Sequence, residues 1–202
     1  MPPKSKKTFY LDDKKEQPVT SGGVILYRFV KGNMELLLVE SRGGFEDLGG
    51  RIDDGDKDIY STVAREANEE SNELLSKITI KKRIKKSQFA YMEKSKYVVY
   101  IIEADKKEVK LVSEDFGDIE EHENISRKIK WIPLDTFLLP DIIKHKLNWR
   151  LKNKVLFDIL KSIKTDKKCN VSMFSESSNS KYVSDDDSGD KKPTKVKKLT
   201  KS

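Results

Sequence analysis

Ala64-Arg65-Glu66-Ala67-Asn68-Glu69-Glu70, a short acidic loop downstream of Gly49-Gly50, is the stretch on which the reading of this chain turns. On a helix these positions fill about a turn and a half, and Glu66, Glu69 and Glu70 point to one side. Like charges four apart weaken an isolated helix by roughly 0.2–0.5 kcal/mol per pair. The chain is rich in lysine, yet no Lys or Arg lies three or four residues from Glu66 or Glu70. Neutralisation is therefore expected from outside the helix, and clustered oxygen ligands suit a hard divalent cation, Mg²⁺ or Mn²⁺. A helix from about Asp58 to Ser71, read on to Leu74, puts Ile59, Val63, Ala67 and Leu74 on one apolar stripe, widened by Tyr60 and Ala64. The three glutamates fall on the border of that stripe, with Arg65 four before Glu69 as a partner, and Asn72 reads as a left-handed helix end.

Upstream, Val19 to Val30 and Met34 to Glu40 are β-rich segments joined by the turn Lys31-Gly32-Asn33, which predicts a hairpin. Gly22-Gly23 marks a bulge or a close approach within the first of them. Ser41 to Asp56, dense in Gly and Asp, reads as loop. Downstream, Ile78 to Tyr91 and the very apolar Lys96 to Ala104 read as strands, and Ile129 to Ile132 as a short strand ending at Trp131-Ile132-Pro133-Leu134. Asp135 then begins a turn or short helix. Leu147, Leu151, Val155, Leu156, Ile159, Leu160 and Ile163 recur at three- and four-residue steps, predicting a helix over Lys144–Lys164. The pattern gives a mixed α/β domain at residues 18–164, a sheet sandwiched between helices. It is flanked by a flexible polar arm at 1–17 and a disordered tail at 165–202, acidic at 185–190 and basic at 191–198.

The 202 residues allow one ordinary domain with tails. Charged residues make up 37% and the formal net charge is +7, which favours anionic partners such as nucleotides, polyphosphates or RNA. The lone Cys169 excludes a disulfide framework and a cysteine metal site, and His122 and His145 are too far apart for a zinc cluster. No apolar run approaches membrane-spanning length and no signal peptide opens the chain. A soluble intracellular protein, cytoplasmic or nuclear, with no membrane partner is expected.

Gly50-Arg51-Ile52-Asp53-Asp54-Gly55-Asp56, followed by Ala64-Arg65-Glu66-Ala67-Asn68-Glu69-Glu70, resembles the box of the Nudix hydrolases. That signature runs glycine, five residues, Glu, seven residues, then Arg-Glu-aliphatic-x-Glu-Glu-x-Gly-aliphatic. Here Asp56 stands in place of the first Glu, one extra residue precedes Arg65, Asn72 replaces the closing glycine and Glu73 an aliphatic residue. The resemblance implies the Nudix fold and a pyrophosphohydrolase cleaving a nucleoside diphosphate linked to another moiety, in a small nucleotide, a dinucleotide or capped RNA. It also implies Mg²⁺ or Mn²⁺ on Glu66, Glu69, Glu70 and the Gly49 carbonyl, with Arg65 orienting the carboxylates. Gly50 and Arg51 would line the phosphate approach. The general base would be Glu66 or a carboxylate of the acidic loop, with Glu123 ahead of Glu121 and Glu120. Arg28 and Arg42 are further phosphate candidates, and Phe45, Phe89 and Tyr91 candidates for stacking on a base, although surface or core roles are commoner for such residues. A non-catalytic nucleotide- or RNA-binding module, with the basic tail gripping RNA, is the alternative expectation.

Overall fold

The computed structural model describes residues 7–176. The strands are β1 (Phe9–Tyr10), β2 (Pro18–Val19), β3 (Ser21–Val30), β4 (Asn33–Ser41), β5 (Gly44–Glu46), β6 (Leu48–Arg51), β7 (Gln88–Met92), β8 (Tyr97–Glu103), β9 (Ile119–Glu120), β10 (Ile125–Ser126) and β11 (Lys128–Pro133). The helices are α1 (Ile59–Glu70), α2 (Lys77–Ile84), α3 (Leu134–Phe137), α4 (Pro140–His145) and α5 (Lys154–Glu176). The main sheet runs β11-β4-β3-β8-β7, with β5 added to β4 and β6 to β3. Only the β3–β8 pairing within it is parallel, so the sheet is mixed.

Period-two alternation divides the strands between two cores. Val24, Leu26, Leu37, Val39, Val98, Tyr100 and Ile102 face α1 and α2 through Ile59, Val63, Ala67, Ile80 and Ile84. Ile25, Leu36, Leu38, Tyr97, Val99 and Ile101 face Leu134, Phe137, Leu147, Leu151, Leu156 and Leu160. β8 is covered on both faces, which is why it reads as an unbroken apolar run. The predicted helix–sheet–helix sandwich is therefore the observed one.

Several local expectations need correction. Residues 44–51 are not loop: β6 zips onto the first half of β3, pairing Gly49 with Gly23 and Gly50 with Gly22. The Gly22-Gly23 segment is accordingly a close approach in a regular ladder. Lys77–Ile84 is helical, because Ile80 and Ile84, one turn apart, are buried while Ile78 is 82% exposed. The predicted strand survives only as β7. On α1, Asp58 caps the first turn by accepting from the Ser61 amide. Asn72 and Glu73 both take positive φ, so Leu74 leaves the stripe and Leu75 is buried instead.

The predicted single helix at 144–164 is broken. Phe45 of β5 donates its amide to the Lys146 carbonyl and accepts from the Asn148 amide, which pulls residues 146–148 out of helical geometry. Asn148 then starts a tight turn over Trp149–Leu151 before α5 begins. At the other end, α5 continues past Lys164 to Glu176, into the segment expected to be disordered and through Cys169. The arm is not loose where it is described: β1 pairs with β2, and the Lys7 ammonium bonds the Asp54 and Asp56 carbonyls. Residues 1–6 and 177–202, with the acidic and basic tail segments and their expected grip on RNA, lie outside the described residues. Among the described residues no helix is long and apolar enough to cross a membrane.

Candidate functional site

The border of the α1 stripe opens onto a cleft of about 570 Å³ between α1, β6, the end of β4 and the acidic loop that carries β9 and β10. The cleft gathers most of the residues singled out in the sequence: Gly49, Gly50, Arg51, Glu66, Glu69, Glu70 and Glu123. Arg65 organises its carboxylates. Its Nη1 lies 2.8 Å from Glu69 Oε2 and 3.0 Å from Glu66 Oε1, and its Nη2 bonds the Arg51 carbonyl at 2.8 Å. The other edge of the guanidinium forks onto Asp56, with Nε to Oδ1 at 3.2 Å and Nη2 to Oδ2 at 3.0 Å. Burial alone would lower the Arg65 pKa, but Asp56, Glu66 and Glu69 more than reverse that, so the guanidinium stays charged. Arg65 thus partners Glu66 as well as Glu69, which the helical-spacing argument had not assigned.

Asp56 keeps its contact with Arg65 despite the inserted residue, because its side chain curls back to accept from the Asp53 amide. Burial pushes its carboxyl up, yet the Arg65 guanidinium and the Asp53 amide outweigh burial and hold it below the usual range. Asp56 is 6% exposed. Its removal would leave Arg65 Nε and the Asp53 amide short of a partner, so Asp56→Ala is expected to cost about 1–3 kcal/mol. Urea denaturation measures this, and an unchanged midpoint would show that the clamp does not depend on Asp56.

Glu70 is set differently. Its Oε2 accepts from the Gly49 amide at 2.9 Å, and no ion-pair partner faces it among the described residues. Burial, then the charges of Asp47 and Glu66, push its carboxyl well above the ordinary range. Burial also raises Glu66; Arg65 pulls it back, while Glu69 and Glu123 push further. Gly49 thus touches Glu70 through its amide. Among the described residues no three His, Cys, Asp or Glu side chains are drawn together at metal-holding distance. The donor set nevertheless fits a hard cation in kind: oxygen donors only, two of them held above their ordinary pKa by burial and mutual repulsion.

The acidic loop is pinned by residues that sequence reasoning underrated. Asn72, at φ 51°, donates to the Phe116 and Ile119 carbonyls and accepts from the Glu121 amide. Arg127, 4% exposed, donates to the Phe116, Gly117 and Glu70 carbonyls, joining the end of α1 to the loop. Within the loop, Glu120 is buried, and its two oxygens accept from the His122 and Glu123 amides. Glu120 therefore shapes the loop, and Glu123 is the member whose charge reaches Glu66.

Beneath the cleft lies a cluster that the sequence did not announce. Asp47, 1% exposed, accepts from the Tyr97 hydroxyl at 2.7 Å, while its Oδ1 is buried without a hydrogen bond. Arg150 stacks 4.8 Å above the Tyr97 ring and bonds Glu46 at 2.6 Å. Only the break in the C-terminal helix brings Arg150 here, so a helical reading of 144–164 could not find it. The other candidates have structural duties. Arg28 bonds Glu35 and the Val109 carbonyl and stacks on Trp131; Phe89 packs on Tyr100; Tyr91 donates to the Pro18 carbonyl; Phe45 joins the α5-side core. Arg42 sits at the cleft rim.

Similar folds occur among solved structures at low identity. A C. elegans Ap4A hydrolase in a binary complex aligns at 18% identity over 72% of this chain and 96% of that one, with a TM-score of 0.41. The NUDIX domain of Shewanella oneidensis NrtR complexed with ADP ribose aligns at 16% identity over 75% and 93%, with a TM-score of 0.44. NrtR complexed with a 27mer DNA aligns at 19% identity over 60% and 54%, with a TM-score of 0.34. Comparison with curated proteins gives no match. A family model described as the NUDIX domain matches residues 19–152, well over half of the sequence, and the chain belongs to that family.

Proposed function

We propose that this chain is a metal-dependent pyrophosphohydrolase acting on a nucleoside diphosphate linked to another moiety. The observation that carries the reading is the placement of Glu66, Glu69 and Glu70 along one wall of the cleft, facing the glycine strand Gly49-Gly50 with Glu123 across from Glu66. Glu66, Glu69 and Glu70, with the Gly49 carbonyl, would hold Mg²⁺ or Mn²⁺. Such an ion supplies charge neutralisation on the phosphates and a water of lowered pKa. Arg65 keeps Glu66 and Glu69 oriented. Gly50, with no side chain, lets the Glu66 carboxyl group lie against β6, so that a phosphate approaching the strand would meet Glu66 and any ion it holds, with Arg51 lining the same cleft. In the reaction a water oxygen bonds phosphorus as the bridging P–O bond breaks. The electron pair leaves on the departing phosphate, and a carboxylate of the cleft, Glu123 foremost, takes the water proton.

A panel of nucleotides and dinucleotides, scored for phosphate and pyrophosphate release with and without Mg²⁺ and Mn²⁺, tests the activity. Metal binding has an independent readout. Glu66 and Glu70 have raised folded-state pKa values, so they contribute stability only at low pH, and that contribution is lost as pH rises through and above the unfolded carboxylate range. A cation bound between them reverses the loss, so Mn²⁺ is expected to raise the melting temperature at pH 8 and have little effect near pH 4. No metal-dependent turnover on any substrate, together with no metal-induced shift at pH 8, would refute the reading.

A further inference from the structure

Away from the carboxylate cleft, α2 and the turn that follows it present a strongly cationic surface. Residues 77–86 hold Lys77, Lys81, Lys82, Arg83, Lys85 and Lys86 and no Asp or Glu. Lys77 and Lys81, then Lys81 and Lys85, are like charges four apart, a spacing that opposes the helix bearing them. The fold answers part of that charge. Lys81 pairs with Asp58, Arg83 with Glu108 and Asp105, and Lys85 lies over the Tyr60 ring. Lys77, Lys82 and Lys86 are exposed, and their ammonium groups have no partner among the described residues.

Lys82, Arg83 and Lys86 also line a groove of about 620 Å³ at the sheet edge, where β8 runs on past its last pairing with β7. Tyr27, Ile101, Ile102 and Ile163 give this groove an apolar lining, and the exposed Gln88 adds an amide. Its two carboxylates are already matched, Asp105 by Arg83 and Glu103 by Lys167. The groove shares no lining residue with the carboxylate cleft. Unspent ammonium groups beside an apolar groove suit a flexible polyanion that also has flat apolar faces. A single strand of nucleic acid has both, phosphates for the lysines and unstacked bases for the groove. A duplex keeps its bases inside and would leave the groove empty. A lipid surface fits less well, because a helix lying on a membrane turns an apolar face outward. Here Ile80 and Ile84 are buried, and Ile78 is the one apolar residue of α2 left exposed.

We propose that α2 and this groove bind single-stranded nucleic acid, with Lys77, Lys82 and Lys86 on the phosphates and a base in the groove. The surface is separate from the cleft, so it holds a strand whatever bond the cleft breaks.

The test uses the full chain in EDTA and oligonucleotides with a 5′-hydroxyl, so neither turnover nor a metal plays a part. Fluorescein-labelled oligomers of uridine and of thymidine, about twelve nucleotides long, are followed by fluorescence anisotropy from about 50 to 300 mM salt. The parent is compared with Lys77→Gln/Lys82→Gln/Lys86→Gln and with Lys128→Gln/Lys144→Gln/Lys161→Gln. The second variant removes equal charge from exposed lysines outside the groove. Every changed position is exposed, so both variants are expected to fold. Residues 177–202 are the same in all three proteins, so a difference between the variants belongs to the lysines changed. The α2 variant is expected to bind both oligomers about tenfold or more weakly. Its slope of log affinity against log salt should fall by about two, the loss for three phosphate contacts on a single strand. The control should stay within about threefold of the parent, with its slope unchanged. Inorganic polyphosphate of matching charge should bind more weakly than either oligomer, since it offers no base. No binding by the parent, equal losses in the two variants, or polyphosphate binding as tightly as the oligomers would overturn the proposal. So would undiminished oligomer binding in an α2 variant that has lost affinity for phosphatidylserine vesicles, the mark of a membrane surface.

Discussion

Glu70→Gln is expected to reduce Mg²⁺-dependent hydrolysis by at least about a hundredfold, while leaving the metal-free protein as stable as the parent or more so. The two halves of this result have one cause. Glu70 is held against the Gly49 amide with burial, Asp47 and Glu66 all opposing its charge. Glutamine preserves the shape and still accepts from that amide, and removing the charge relieves the repulsion from Asp47 and Glu66. What is lost is the negative charge that a cation would find there. Glu69→Gln should match it in activity but not in stability, since it takes the charge out of the 2.8 Å ion pair with Arg65. A surface i,i+4 helix pair is worth about 0.3–0.5 kcal/mol, and this half-buried pair should cost that much or somewhat more. Unchanged turnover in Glu70→Gln, or a melting temperature several degrees lower without metal, would mean that Glu70 is a structural residue.

The contrast between Glu70 and Asp56 shows how far the sequence carried. Local periodicity placed the hairpin, α1, β8 and the border position of the glutamates, because each depends on neighbours within a few residues. The same reasoning misread 77–84, where Ile78-Thr79-Ile80 mimics strand alternation and only the burial of Ile80 and Ile84 decides for helix. It also ran one helix through 144–164, where the decisive contact is with Phe45, a hundred residues away in sequence. The site divides in the same way. Arg65 and the three glutamates are close in sequence and were legible. Asn72 was read as a helix end but not as the anchor of residues 116–121, and Arg127, Asp47 and Arg150 gave no local signal at all. Each of those acts through partners brought in by β-pairing or by a break in a helix. Asp56 lies between these cases: the inserted residue obscured its role, and the geometry of its fork with Arg65 restores it.

Gly49→Ala and Gly50→Ala are expected to fail in opposite ways, although they are adjacent and share a strand. A methyl group on Gly49 would stand 2.3 Å from the Gly23 Cα and 2.6 Å from the Gly22 carbonyl oxygen, both backbone atoms of the paired strand β3. Neither can move without parting the β3–β6 ladder, so this variant should lose about 1–3 kcal/mol of stability or more. The three atoms nearest a methyl group on Gly50 all belong to the Glu66 carboxyl group, the closest at 2.4 Å. That group ends a flexible side chain and can swing aside, leaving the ladder intact. Stability should then stay within about 0.5 kcal/mol of the parent, as for a substitution that disturbs no core feature. Activity should not: displacing Glu66 by an ångström or so puts it out of line with Arg65 and Glu69, a change on the order of a hundredfold in rate. Thermal melts and kcat/KM measured on the pair separate the two effects. Gly50→Ala with parental activity would remove Glu66 from the machinery, whereas Gly49→Ala with parental stability would show that the glycine ladder is looser than its register implies.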